Sequence, residues 1–342
     1  MLYQKIMEKR LSPSGNKMLN NKMKIFSFCN FTKKNKGALE ISFGWLFALI
    51  AGATILFLAI YFGSRIIGTS DETISAETGK EITILLNPLE TSFESAQTTS
   101  ITIPLETRIN NFCSYENPFG KQTLQLDQKR FNQWTETDTD VSSYNKYIFS
   151  EEQVEGKTFY LFSKPFDFPF KVANLIYLTS SDEVYCFTGA PNEIKEEISN
   201  LNQKNFIVDN CTSDSIKVCF NEENCEIEVD YSDGEVRKGG DILYFSDIED
   251  SNALMYAAIF SDKEIYECQV KRLMLRLKQL ALIYYDKEII EKASGCDEGI
   301  GTSLISLSNL ADDFTDSSTL EIIKINAEDI EIRNNARRCL LW

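Results

Sequence analysis

The chain has 342 residues, a formal net charge of −16 and no histidine. The missing histidine excludes Ser-His-Asp and Cys-His nucleophile pairs, His-ligated zinc and any imidazole base. A hydrophobic fraction of 43% with 12% aromatics belongs to a folded chain and excludes a largely disordered one.

The charge is unevenly spread. Residues 1–36 carry nine basic groups against Glu8 alone, whereas residues 65–342 are strongly acidic. From Ile41 to Ser64 run 24 residues without a formal charge. A helix of about 20 apolar residues crosses the hydrocarbon core of a bilayer. Trp45 and Tyr61 stand near the two ends of the run, where amphipathic rings favour the interface. A transmembrane helix is therefore expected over 41–67. Lys33, Lys34 and Lys36 precede it closely, and Asp71, Glu72 and Glu77 follow it. The positive-inside rule then places residues 1–40 in the cytoplasm, as a basic tail or leader, and the large C-terminal part outside the cell membrane. Beside a bilayer, the basic tail reads as topology and lipid contact rather than as a nucleic-acid arm. Its length, and that of the apolar run, exceed those of a cleaved secretory signal, so a retained anchor is expected. Gly44, Ala48 and Gly52 recur every four residues, and Ala59 and Gly63 return near the same face. Small residues at this spacing let two helix backbones approach closely in lipid. The expected partners are the lipid bilayer and, through this face, a homo-oligomer or pilin-like partners.

The fold class expected is α+β: the transmembrane helix, a mixed and mainly antiparallel exterior domain over 68–250, and a C-terminal helical subdomain over 251–342. Ile74, Ile82, Leu85 and Leu86 lie near one stripe and predict a helix over 71–87, continuing the membrane helix outward or ending near Pro88. Ile101, Ile103 and Leu105 alternate as on a half-buried strand, which Pro104 limits to a sheet edge. Strand patterns follow at 122–126, 141–149, 157–163, 170–179, 183–188, 205–209, 215–220, 225–231 and 242–245. The two prolines of Pro165-Phe166-Asp167-Phe168-Pro169 restrict that stretch to an edge or connection. A short helix is predicted over 192–201, and Asp233-Gly234 and Gly239-Gly240 mark turns.

Ser261-Asp262-Lys263-Glu264 fits a capping box. After it, Tyr266, Val270, Leu273, Leu277, Leu280 and Tyr284 form a narrow apolar seam, read as packing within a helical subdomain, with Gly295 as the stop. Leu304, Leu307, Ala311 and Phe314 mark a shorter helix. Ser318-Thr319-Leu320-Glu321 is a second box opening a helix to about residue 338.

Nine cysteines divide by compartment. Cys29 falls on the cytoplasmic side, and Cys113, Cys186, Cys211, Cys219, Cys225, Cys268, Cys296 and Cys339 fall outside. Eight is even and suits up to four disulfides in an oxidising compartment. Cys219 and Cys225 are close enough for a bridge across a loop or hairpin. Cys268 and Cys296 lie near opposite ends of one predicted helix, roughly 40 Å apart at about 1.5 Å per residue. A disulfide needs Cα atoms within about 7 Å, so these two are not expected to pair with each other, and Cys339 is a candidate partner for either. Asn210-Cys211-Thr212 is a glycosylation sequon.

Phosphate loops are absent, and chemistry without histidine would need carboxylates, a Ser-Lys pair or a carboxylate-bound metal. Glu136, Asp138 and Asp140 alternate and would share a strand face; Asp230, Asp233 and Glu235 surround a glycine turn. A solvated acidic surface is the simpler reading of both groups. No catalytic residue, cofactor site or metal ligand is nominated.

Lys33-Lys34-Asn35-Lys36-Gly37-Ala38-Leu39-Glu40, followed at once by the apolar run, resembles the class III signal of archaeal type IV pilin-like proteins. The resemblance implies cleavage after Gly37 and a helix that packs into a filament or anchors the protein. Counting from Ala38, Glu40 is third, where that family usually has its glutamate fifth. The match covers the N-terminal segment alone. The sequence thus predicts a single-pass, membrane-anchored surface protein with a disulfide-braced exterior domain and a structural or interaction role. The alternative is an anchored exterior enzyme or metal-binding protein that uses carboxylates.

Overall fold

The computed structural model describes residues 43–91, 97–116, 119–130, 132–222, 224–248, 251–296 and 299–342. The chain divides into two compact units, Met1–Tyr61 and Phe62–Trp342. The basic tail and the 33–40 motif lie outside the described residues.

Helix α1 runs from Phe43 to Thr91 without a break. The predicted membrane and 71–87 helices are therefore one element, and it passes Pro88 by three residues before ending. Its apolar part, Phe43–Ser64, has 22 residues and a mean hydropathy of 2.3. At about 1.5 Å per residue it extends about 33 Å, the thickness of a bilayer core.

In the second unit, β1 (Gln97–Ser114), β2 (Lys121–Arg130), β3 (Gln133–Ser143), β4 (Tyr147–Phe149), β5 (Gln153–Asp167) and β6 (Lys171–Ser180) form one sheet in the order β3-β2-β1-β5-β6-β4. All pairs are antiparallel except β4–β6. β1 is an interior strand, contrary to the edge expected from Pro104. The β1–β5 register shifts between Thr102 and Thr107, so Pro104 falls in an irregularity where a missing N–H breaks no ladder bond. Pro165 lies past Ser163, the last β5 partner of β1, where β5 has only β6 beside it.

Alternation gives this sheet two chemically different faces. Tyr147, Phe149, Phe162 and Tyr177 point to an aromatic core. Ile148, Leu161, Ile176 and Leu178 point to an aliphatic one, shared with Ile101, Ile109, Leu124 and the α1 residues Ile82 and Leu86. The last turns of α1 are thus held by burial of about 2 kcal/mol for each large aliphatic side chain.

A second sheet contains β7 (Tyr185–Thr188), β8 (Phe206–Val208), β9 (Ile216–Phe220), β10 (Ile227–Asp230), β11 (Glu235–Lys238) and β12 (Asp241–Tyr244), ordered β12-β11-β10-β9-β7-β8. Its β8-β7-β9-β10 part is parallel and β10-β11-β12 antiparallel, so pairing over the two sheets is mixed, as expected. Helix α2 (Asn192–Asn200) joins β7 to β8. Helix α3 (Ala253–Phe260) is buried at all eight positions and touches β5 and β6 of the first sheet and β11 of the second. Phe260 meets Phe162, Tyr185 and Phe206 with ring centroids 5.1–5.8 Å apart, distances at which edge and stacked pairs attract.

Helix α4 (Lys263–Ala293), α5 (Gly301–Asp312) and α6 (Leu320–Asn335) follow. Tyr266, Val270, Leu273 and Leu277 of the predicted seam are buried, and Leu280 and Tyr284 pack against the same core. Gly295 ends α4 at φ +97, a conformation glycine adopts freely. Neither capping box forms. Ser261 Oγ is buried without a hydrogen bond. Asp262 is the N-cap of α4, and its carboxylate accepts the amide of Glu152 at 2.7 Å instead. Glu321 accepts from the Ser246 hydroxyl, and Ser318 donates to Asp316. Glu321 thus goes to a long-range partner, Ser318 to one two residues away, and Ser261 to none.

Candidate functional site

The apolar part of α1 is exposed along its length: Phe43, Phe47, Ile55, Leu56, Phe57 and Ile60 each present more than half their surface. A run of such side chains is unstable in water and stable in lipid. One α-helical repeat places Gly44, Ala48, Gly52, Ala59 and Gly63 on a single arc of about 100°. A Cβ added at Gly44, Gly52 or Gly63 would meet nothing within 4 Å. The stripe is therefore open, with room for a second backbone.

All eight downstream cysteines are paired. Cys113–Cys268 joins β1 to α4, Cys186–Cys211 joins β7 to the loop after β8, Cys219–Cys225 closes the loop after β9, and Cys296–Cys339 ties the C-terminal segment to the end of α4. Cys268 and Cys296 do not pair, and Cys339 serves Cys296. Asn210 is exposed, one residue from the bridged Cys211.

The acidic groups separate. Glu136 and Asp140 sit on β3, but the β2–β3 register shifts between their partners Asp127 and Gln125. Strict alternation is broken there, and the side chain of Asp138 lies outside the described atoms. Asp230 closes its turn by accepting from Ser232 at 2.8 Å and from the amide of Asp233 at 3.1 Å. The Ser232 hydroxyl holds its carboxyl below the usual aspartate value. Glu235 pairs with Arg237. Among the described residues, no three Asp, Glu or Cys side chains converge at metal-ligand spacing.

The charged cluster that the sequence reading missed is built by the two sheets and the α3–α4 junction. Glu151 follows β4, Glu183 precedes β7, Lys238 ends β11 and Asp262 caps α4. Glu151, Lys238 and Asp262 line a cleft of about 340 Å³ whose apolar lining is Ile216, Ile227 and Leu243, and Glu183 interacts with them electrostatically. Lys238 donates to the carbonyl of Ile259 at 3.3 Å, and burial pushes its ammonium below the usual lysine value. Burial, and then the Glu151 carboxylate, push the Glu183 carboxyl up to about 7. Burial also raises Glu151. These residues are scattered over more than 100 positions, so no spacing announces them. The arrangement brings several carboxyl groups and one buried lysine amine together beside the cleft.

The linkage has a definite sign. The folded chain keeps the Glu183 proton to higher pH than the unfolded chain. The associated stability is full below the ordinary glutamate pKa and is lost as pH rises through about 7. The whole shift would correspond to roughly 3 kcal/mol, and partial solvent exposure reduces this to about 1–2 kcal/mol. Glu183→Gln should therefore stabilise the chain by that amount at pH 8 and leave it unchanged near pH 4, read by urea unfolding at both. Equal effects at the two values would refute the assignment.

The fold and site define a disulfide-braced α+β domain on a chain with, among the described residues, one exposed apolar helix long enough to cross a bilayer. Comparison with protein-family models, with curated proteins and with solved structures finds no match.

Proposed function

We propose that the chain is a single-pass, membrane-anchored cell-surface protein that presents the braced domain outside the cell, in a structural or interaction role. The observation that carries this reading is the conjunction of a 22-residue exposed apolar segment with four disulfides, all downstream of it. Disulfides persist in oxidising compartments, and the basic tail before the helix favours the cytoplasmic side. The two signals are independent and agree on one orientation.

The finer reading is pilin-like. It rests on the resemblance at 33–40 and on the open small-residue stripe of α1. It predicts a mature N-terminus at Ala38 and association in detergent through Gly44, Ala48 and Gly52. Gly52→Leu should weaken that association about tenfold, the scale of a 1–2 kcal/mol helix contact in lipid. N-terminal sequencing of the protein from its native membrane, with sedimentation of the wild-type and variant chains, tests both. An N-terminus at Met1 with a monomer in detergent leaves a plain anchor and overturns the pilin-like reading.

A further inference from the structure

A second cleft, separate from the Lys238 cluster, opens where β10–β12, the start of α3 and the start of α6 meet. Its volume is about 310 Å³, at the lower end of the range of small-molecule sites. Its residues come from the turn after β10, the strand-to-helix connection at 244–252, and the 317–324 segment.

The cleft mixes donors and acceptors. Asn252 is 7% exposed and stands at φ +54. Its Oδ1 accepts from the Tyr231 hydroxyl at 2.9 Å, while its side-chain nitrogen donates to none of the described residues. That nitrogen is not sealed from solvent: it opens onto the cleft, where a ligand oxygen can take the place of water. Lys324 stands 4.0 Å from Glu321 and 3.9 Å from Glu328, beyond hydrogen-bond reach. Its ammonium protons are thus available. On the acceptor side, the Glu321 carboxylate takes one bond from Ser246 at 2.9 Å and keeps further lone pairs. The Asp233 carboxylate lines the same cleft. Asp247 closes the inner end, where it binds the amides of Leu254 and Met255 at the start of α3. Tyr231 and Phe245 supply rings 6.4 Å apart. Gly234 is required at the rim, since a Cβ there would lie 2.6 Å from the carbonyl oxygen of Phe245.

Elimination narrows the ligand. An anion would face Asp233, Asp247 and Glu321. A compact cation would face Lys324. A purely apolar ligand would strand the Asn252 and Lys324 donors. A neutral polyhydroxylated molecule satisfies donors and acceptors together and can lay a C–H face on an aromatic ring. We infer that this cleft is a binding site for a neutral saccharide, with Asn252, Lys324 and Glu321 holding its hydroxyl groups. The site lies wholly within the 62–342 unit, so its binding is measurable whether or not the anchor reading holds.

The full chain, reconstituted in lipid nanodiscs free of glycosidic detergent, should show saturation transfer in NMR to at least one of maltotriose, cellotriose and chitotriose. Glucuronic acid and spermidine serve as charged probes and should show none. Asn252→Gly preserves the left-handed backbone while removing the amide, and Lys324→Met removes the ammonium. Each should weaken saccharide binding about tenfold, the loss expected for a hydrogen bond to a buried or charged group. Unchanged unfolding curves would show that these variants still fold. No transfer to any of the three saccharides, transfer unaltered in both variants, or preference for a charged probe would each overturn the inference.

Discussion

Arg272→Met should destabilise the folded chain by about 3–5 kcal/mol, the largest effect expected of any single substitution here. Arg272 is fully buried, yet no carboxylate of the described residues pairs with it. Its guanidinium instead donates to the carbonyls of Phe119 at 3.2 Å, Tyr144 at 3.0 Å and Lys146 at 2.9 Å, and to Gln269 Oε1 at 2.7 Å. It also lies 4.8 Å over the Tyr147 ring. Burial pushes it down to about 10, which leaves it charged at neutral pH. One side chain of α4 thereby holds the β1–β2 turn and the β3–β4 loop. Methionine keeps most of the volume but strands three carbonyls. Arg272→Lys should recover little, because an ammonium cannot match the planar fork of donors. Gly120 beside it has no room for a side chain, since a Cβ would lie 2.6 Å from Arg272 Cγ. Urea unfolding of wild type and variants measures the effect. A loss under about 1 kcal/mol would show that the loops hold without the arginine.

The second large effect concerns the neighbouring bridge. Replacing Cys113 and Cys268 together by alanine should cost up to about 5 kcal/mol, the chain-entropy limit for so long a loop. The bridge spans 155 residues, against 6 for Cys219–Cys225. Removing the short one should cost about 2 kcal/mol by the same reasoning. The ranking matters more than either value. Cys268 adjoins Gln269, whose amide bonds Gln122 and the carbonyl of Ile148. Gln122 in turn bonds Asn111. The bridge and the buried amide chain therefore brace one seam between β1, β2, β4 and α4. A costlier loss at Cys219–Cys225 than at Cys113–Cys268 would contradict this picture.

Features with a period or a local partner were legible in the sequence. The apolar stretch before Arg65, the α4 seam from Tyr266 to Leu277, the stop at Gly295 and the incompatibility of Cys268 with Cys296 all follow from spacing alone. Features decided by tertiary packing were not. Ala253–Phe260 is apolar on every side, so no amphipathic stripe distinguishes this helix from a strand. β11 hid between two turn signals as four residues of mixed polarity. Pro104 looked like an edge marker because a bulge cannot be seen in one strand. Ser261 and Glu264 matched a capping pattern, but the N-cap falls one residue later, at Asp262, whose carboxylate bonds the distant Glu152 amide. Arg272 reads locally as a surface residue, since backbone carbonyls of distant loops leave no trace near it in sequence. Both clefts combine residues from several elements, and Asn252, Glu321 and Lys324 carry no motif.

In the proposed topology Phe43–Ser64 crosses a bilayer with the braced domain on the non-cytoplasmic face. Labelling intact cells with a membrane-impermeant amine reagent, followed by mass mapping of the modified lysines, tests this most directly. Lys157 and Lys217, both exposed on the second unit, should react in intact cells, while Lys33 and Lys34, on chains that retain the leader, should react only after lysis. Labelling of Lys33 and Lys34 in intact cells with protection of Lys157 and Lys217, or reaction of all four only after lysis, would contradict it.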